Sequence, residues 1–129
     1  MTPYRRTVLA LLLTATLAAC GGGGSDDDGG GGSVAAEGSP DAQTATVVGN
    51  RDLEFVPSTV TAVPGALALT MEIEGGVPHN LVFDDEAVGA DIATIAEGSA
   101  TGTYRFPSAG TFDFVCTLHP GMDGEVVVS

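Results

Sequence analysis

Four side chains in this 129-residue chain carry donor atoms suited to a redox metal. His79 lies in GVPHNLVF, while Cys116, His119 and Met122 fall within FVCTLHPGMDGEVVV. Two imidazoles, one thiolate and one thioether form the set that serves copper cycling between Cu(I) and Cu(II): a trigonal His, His, Cys plane with a weak axial Met. One such site accounts for both histidines and for the single cysteine other than Cys20. Taken singly each signal is weak, since C-x-x-H arises by chance and Met122 alone could fill a core. The combination carries the weight. Zinc is more often held by further Cys or His ligands. A c-type haem needs C-x-x-C-H, which the sequence lacks.

A metal that changes oxidation state exchanges electrons slowly if its ligands must rearrange, so the donors need rigid supports. The sequence predicts them. Leu67, Leu69, Met71 and Ile73 alternate with Ala68, Thr70, Glu72 and Glu74, the period of a strand with one buried face. That register makes Met71 a core side chain rather than a donor. Residues 60–63 and the turn Pro64-Gly65 precede it. Tyr104-Arg105-Phe106, the turn 107–110 and Thr111 to Cys116 read as a hairpin, with Phe112, Phe114 and Cys116 on one face. Residues 125–128 form a short final strand. Thus Cys116 closes one strand, His119 rides the loop, Met122 opens the last strand, and His79 arrives from a separate connection. Short strands broken by Gly and Pro predict an all-β, two-sheet sandwich. Residues 84–100 fit a loop, a short helix or an edge strand equally well.

The N-terminal segment reads as an export signal. Arg5 and Arg6 precede an apolar run of ten residues, Val8 to Leu17, too short to cross a bilayer. It ends in Leu17-Ala18-Ala19-Cys20, similar to the lipobox of bacterial lipoproteins, in which the cysteine is lipidated and begins the mature chain. Residues 1–19 are therefore expected to be a signal peptide, by a Sec or twin-arginine route. A Cys20–Cys116 disulfide is the alternative, but the twelve residues after Cys20 include eight glycines, a poor framework for a bridge. Residues 20–42 are expected to be a Gly/Ser/Asp linker, reaching about 25 Å if flexible. Asp26, Asp27 and Asp28 read as a solvated charge run rather than a calcium site. Roughly 85–90 residues, 43–129, remain for one small domain. Beyond the leader, two arginines face seventeen acids and lysine is absent, which excludes nucleic-acid binding through clustered cations.

FVCTLHPGM, VPHN and FVPSTVTAVPG at 55–65 together resemble the cupredoxins of the plastocyanin and amicyanin group, over residues 43–129. The two-residue gap between His119 and Met122 is similar to that of amicyanin. The resemblance implies an eight-stranded Greek-key sandwich with type 1 copper at one end. It implies equatorial His79, Cys116 and His119, axial Met122, and a hydrogen bond between Asn80 and Thr117 joining the two ligand loops. Electrons would pass at an apolar patch of Val77, Pro78, Leu118 and Pro120 around His119. The function expected is one-electron transfer, without enzyme activity, by a monomer lipid-anchored on the outer face of the cytoplasmic membrane or in the periplasm. Its partners would be redox proteins: a cytochrome, oxidase, reductase or dehydrogenase. The rival reading is a copper-binding chaperone or storage lipoprotein. Carriers that exchange copper tend to expose Met- or His-rich tracts, whereas this chain has three Met and two His.

Overall fold

The computed structural model describes residues 31–129. The expected signal peptide 1–19 and Cys20 lie outside the described residues. One sheet takes the order β1-β5-β11-β10-β7-β8, from β1 (Ser33–Ala35), β5 (Thr59–Ala62), β7 (His79–Phe83), β8 (Ile92–Ile95), β10 (Gly110–Val115) and β11 (Asp123–Val128). The other has the order β2-β3-β6-β9 with β4 paired to β3. Its members are β2 (Glu37–Ser39), β3 (Ala42–Gly49), β4 (Phe55–Val56), β6 (Gly65–Ile73) and β9 (Ser99–Phe106). β3 pairs parallel with β6, and β5 with β11. These non-sequential neighbours make a Greek-key sandwich, with eleven strands among the described residues rather than about eight.

Alternation decides which faces meet. Leu67, Leu69 and Met71 of β6 are fully buried, as are Val47, Val60, Phe106, Phe114 and Val126. Each large side chain withdrawn from water in this way contributes about 1.5–3 kcal/mol. Aromatic rings form the middle of the core. Phe114 meets Phe55 edge-on at 5.1 Å and Phe83 at 5.5 Å, and Phe83 lies 4.6 Å from Tyr104.

Two sequence expectations change, and one stretch left open is settled. β9 and β10 do not form a hairpin: β9 pairs with β6, and β10 with β11 and β7. The turn at 107–110 instead carries the chain from one sheet to the other. The described part of the expected linker 20–42 is built into both sheets. Ser33–Ala35 pairs parallel with β5, and Glu37–Ser39 pairs with β3, through backbone groups that need few apolar side chains. Finally, residues 84–100 resolve into a 3-10 turn at Glu86–Val88, the edge strand β8 and the start of β9. Asp85 caps that turn, its carboxylate accepting the Ala87 N–H.

Register brings the predicted donors to one end. Val115, the last residue of β10, pairs with Asp123 of β11 and with Val82 of β7. The residues following β10, preceding β11 and opening β7 therefore meet. β3 ends there as well, since the Gly49 carbonyl accepts the Glu74 N–H just before the connection to His79.

Candidate metal centre

The loop from Cys116 to Met122 is held by its own backbone. The Met122 carbonyl accepts the Cys116 N–H at 2.9 Å, and the His119 carbonyl accepts the Met122 N–H at 3.1 Å. Gly121 turns the chain at φ +84°, in the left-handed region where a Cβ is disfavoured. Period-2 alternation continues past β10, so Cys116 points to the same interior face as Phe114 and is only 3% exposed. Met122 is 1% exposed. His79 opens β7 and is fully buried, against a glycine: a Cβ at Gly49 would stand 2.8 Å from the His79 Cδ2. Only a residue without a side chain lets the ring lie there.

His79, Cys116 and His119 bring one nitrogen or sulfur each to within 4.8 Å of one another. The His79 Nδ1 is 3.9 Å from the Cys116 Sγ. Nitrogen and thiolate donors at about 2.0 and 2.3 Å from one ion, opened to a trigonal angle, stand about 3.7 Å apart, so this pair is already close to ligating separation. The two imidazoles meet edge-on with centroids 5.0 Å apart.

Hydrogen bonds settle which nitrogen of each ring is available. The His79 Nε2 is 2.9 Å from the Asn50 carbonyl, and the His119 Nε2 is 2.9 Å from the Pro78 carbonyl. A carbonyl only accepts, so each Nε2 carries the proton and each neutral ring keeps its Nδ1 lone pair free. Burial, with a smaller contribution from neighbouring His119, pushes the His79 pKa below its ordinary value against the opposing pull of the Asn50 carbonyl. This ring is thereby kept neutral and able to bind a cation. A soft buried thiol beside two imidazoles fits copper.

Two further contacts stiffen the site. The Asn80 Nδ2 donates to the Thr117 Oγ1 at 2.8 Å, and the Thr117 N–H donates to the Asn80 Oδ1 at 2.8 Å. This pair of hydrogen bonds ties the residue after His79 to the residue after Cys116. The Asn50 side chain closes its own turn, Oδ1 accepting the Asp52 and Glu54 N–H groups at 3.0 and 3.1 Å. Around His119, which is partly exposed, Pro78, Leu118 and Pro120 face solvent and Val77 is half-buried; Leu118 is 46% exposed.

Sequence reasoning missed Asn50, Gly49 and the Pro78 carbonyl as parts of this arrangement. Gly49-Asn50-Arg51-Asp52 is a legible turn signal, but nothing in it indicates a ring 29 residues away.

Comparisons with known proteins agree with this geometry. Residues 42–129 match the family model of copper binding proteins, plastocyanin/azurin family. Plastocyanin of Sambucus nigra is 33% identical over 97 residues, covering 64% of this chain and 97% of that protein. Amicyanin of Paracoccus versutus is 33% identical over 86 residues, 65% of this chain and 64% of that one. The chain spans about 60% of the length of some chloroplastic plastocyanins that it matches. The fold is similar to that of dithionite-reduced auracyanin from the photosynthetic bacterium Roseiflexus castenholzii, with a TM-score of 0.56, 22% identity, and 67% of this chain and 96% of that one covered. Its cofactor is one copper ion, and the chain belongs to the plastocyanin/azurin family of copper-binding proteins, the cupredoxins.

Proposed function

We propose that this protein is a one-electron carrier, with His79, Cys116 and His119 as the strong copper ligands and Met122 as the weak axial one. The observation that carries the reading is the convergence of a buried thiol and two imidazoles whose Nε2 protons are already engaged. Copper held there supplies a Cu(I)/Cu(II) couple. The protein's part is to keep the donors still. The self-bonded loop fixes Cys116 and Met122, two backbone carbonyls fix the rings, and the Asn80–Thr117 pair keeps the two ligand segments in register. Ligands that do not move between oxidation states keep reorganisation small.

The partly exposed His119, rimmed by Val77, Pro78, Leu118 and Pro120, is the exit and entry for electrons. Redox proteins are its partners. We assign export and lipid anchoring through Cys20, placing the domain on the outer face of the cytoplasmic membrane or in the periplasm. Burial of Cys116 and His79 disfavours the ligand exchange that a copper chaperone needs. The test is voltammetry of the copper-loaded protein. The expected result is one reversible one-electron wave per chain, with copper retained through repeated cycles; release of copper on reduction would favour the delivery role instead.

A further inference from the structure

β1 and β2 precede the part of the chain shared with the family, which starts at residue 42. They add little to the core, where only Val34 and Ala36 of residues 33–39 pack, both partly buried. What they cover is backbone. β1 lies along the outer edge of β5, where the Gly32 carbonyl accepts the Thr59 N–H at 3.1 Å and the Thr61 carbonyl accepts the Ala36 N–H at 2.7 Å. One residue later the chain has crossed to the other sheet, and Glu37–Ser39 runs along the edge of β3 at Ala42–Thr44. β4 covers that edge of β3 only at Val48 and Gly49. Residues 33–39 thus close one open side of the sandwich as a strap over two sheet edges.

The body of the domain is shaped to receive the strap. Gly65 leaves room for the Pro40 carbonyl oxygen, which a Cβ would strike, and that oxygen accepts the Ala66 N–H at 2.8 Å. Gly38, at φ +110°, lies against the Ala42 carbonyl oxygen just as closely. Gln43, 3% exposed, ties the end of β5 to the start of β3. Its Nε2 donates to the Val63 carbonyl at 2.9 Å, and its Oε1 accepts the Val63 N–H at 2.8 Å.

The covered edges share one property. Residues 42–49 (AQTATVVG) and 59–62 (TVTA) hold no charge, in a domain with fourteen carboxylates and two arginines over 31–129. An uncharged, β-branched edge with unpaired N–H and C=O groups is a template for another strand. Negative charge keeps copies of this domain apart elsewhere, but the bare edge of β3 carries no such barrier. It can pair with itself, antiparallel about a twofold axis, and join two sheets into one. The strap replaces it with three-residue strands that carry exposed Glu37 and are followed by Pro40 and Asp41. Short, charged, proline-bounded edges resist pairing.

We propose that residues 33–39 are an intramolecular guard that keeps the protein monomeric, occupying the edge to which a second copy of this chain would add. The guard depends neither on copper nor on anchoring through Cys20.

The test uses residues 21–129, which include every described residue, as wild type and as an unlatched variant, Ala36→Pro with Gly38→Val. Proline removes the N–H that bonds the Thr61 carbonyl, and the valine side chain strikes the Ala42 carbonyl. Gly38 pairs with Gln43 at the start of β3, the end away from Gly49 and the copper ligands. Hydrogen exchange at the Thr59 amide reports release and is expected to be about tenfold faster or more in the variant. Sedimentation velocity is expected to show a monomeric wild type and a self-associating variant, its association constant raised about tenfold or more. Adding Thr46→Lys, at an exposed position on the bared edge, is expected to return the variant to a monomer. Unchanged exchange at Thr59, a released strap on a monomeric variant, or association that Thr46→Lys leaves intact would overturn the inference. Loss of cooperative urea unfolding in the copper-free variant would overturn it as well, since the strap would then belong to the folding core.

Discussion

The Asn80–Thr117 pair makes an asymmetric prediction. Asn80→Ala removes both hydrogen bonds, whereas Thr117→Ala removes only the one to Oγ1 and leaves the backbone N–H, stripped of nothing, still donating to the Asn80 Oδ1. A hydrogen bond contributes about 0.5–1.5 kcal/mol net, and because Thr117 is exposed and Asn80 half-buried the lower half of that range applies. Asn80→Ala should therefore cost about 1–2 kcal/mol and Thr117→Ala about 0.5–1 kcal/mol. For a domain of this size, that lowers Tm by about 5–15 °C and 2–8 °C respectively. The double variant should match Asn80→Ala alone, because no bond is left for Thr117→Ala to break, giving a coupling of about 0.5–1 kcal/mol. Urea unfolding of the copper-free protein provides the cycle. Copper affinity should fall about 10–100-fold in Asn80→Ala, because the bond joins the neighbours of His79 and Cys116. Additive single effects, or a larger loss from Thr117→Ala, would refute the clamp.

Gly49→Ala places a methyl 2.8 Å from the His79 ring; overpacking there should cost about 1–3 kcal/mol and weaken copper binding, measured by competition with a chelator. The Tyr104 hydroxyl is buried without a partner, and burial, helped by the Asp91 charge, pushes its pKa to about 12. The folded state then favours the neutral phenol, so stability is intact below pH 10 and about 2–3 kcal/mol is lost as pH rises from 10 through about 12. Tyr104→Phe should remove that alkaline limb without loss at pH 7, as read by unfolding at several pH values. Met122→Leu should leave copper bound and raise the reduction potential, since a weak donor is lost; an unchanged voltammetric midpoint would show that Met122 is not axial.

Much of this architecture was legible because side chains report which face is buried. The alternation in Leu67, Leu69 and Met71 identified β6 and placed Met71 in the core, where it is fully buried. Phe112, Phe114 and Cys116 share a period that directs the thiol inward. Alternation does not say which neighbour a strand pairs with, and β9 and β10 show the same inward faces whether joined to each other or divided between sheets. β1 and β2 were hidden because they are held by backbone pairing, with only Val34 half-buried among their six residues. The Asn50 and Pro78 carbonyls were hidden for the same reason, as any residue type supplies a carbonyl.

The central claim is that one sulfur and two imidazole nitrogens bind the same copper ion, and optical titration of the copper-free protein with Cu(II) tests it most directly. One equivalent should produce an intense visible thiolate-to-copper charge-transfer band, absent from Cys116→Ser. A colourless Cu(II) complex of the wild-type protein, or a Cys116→Ser complex with the same band, would contradict it.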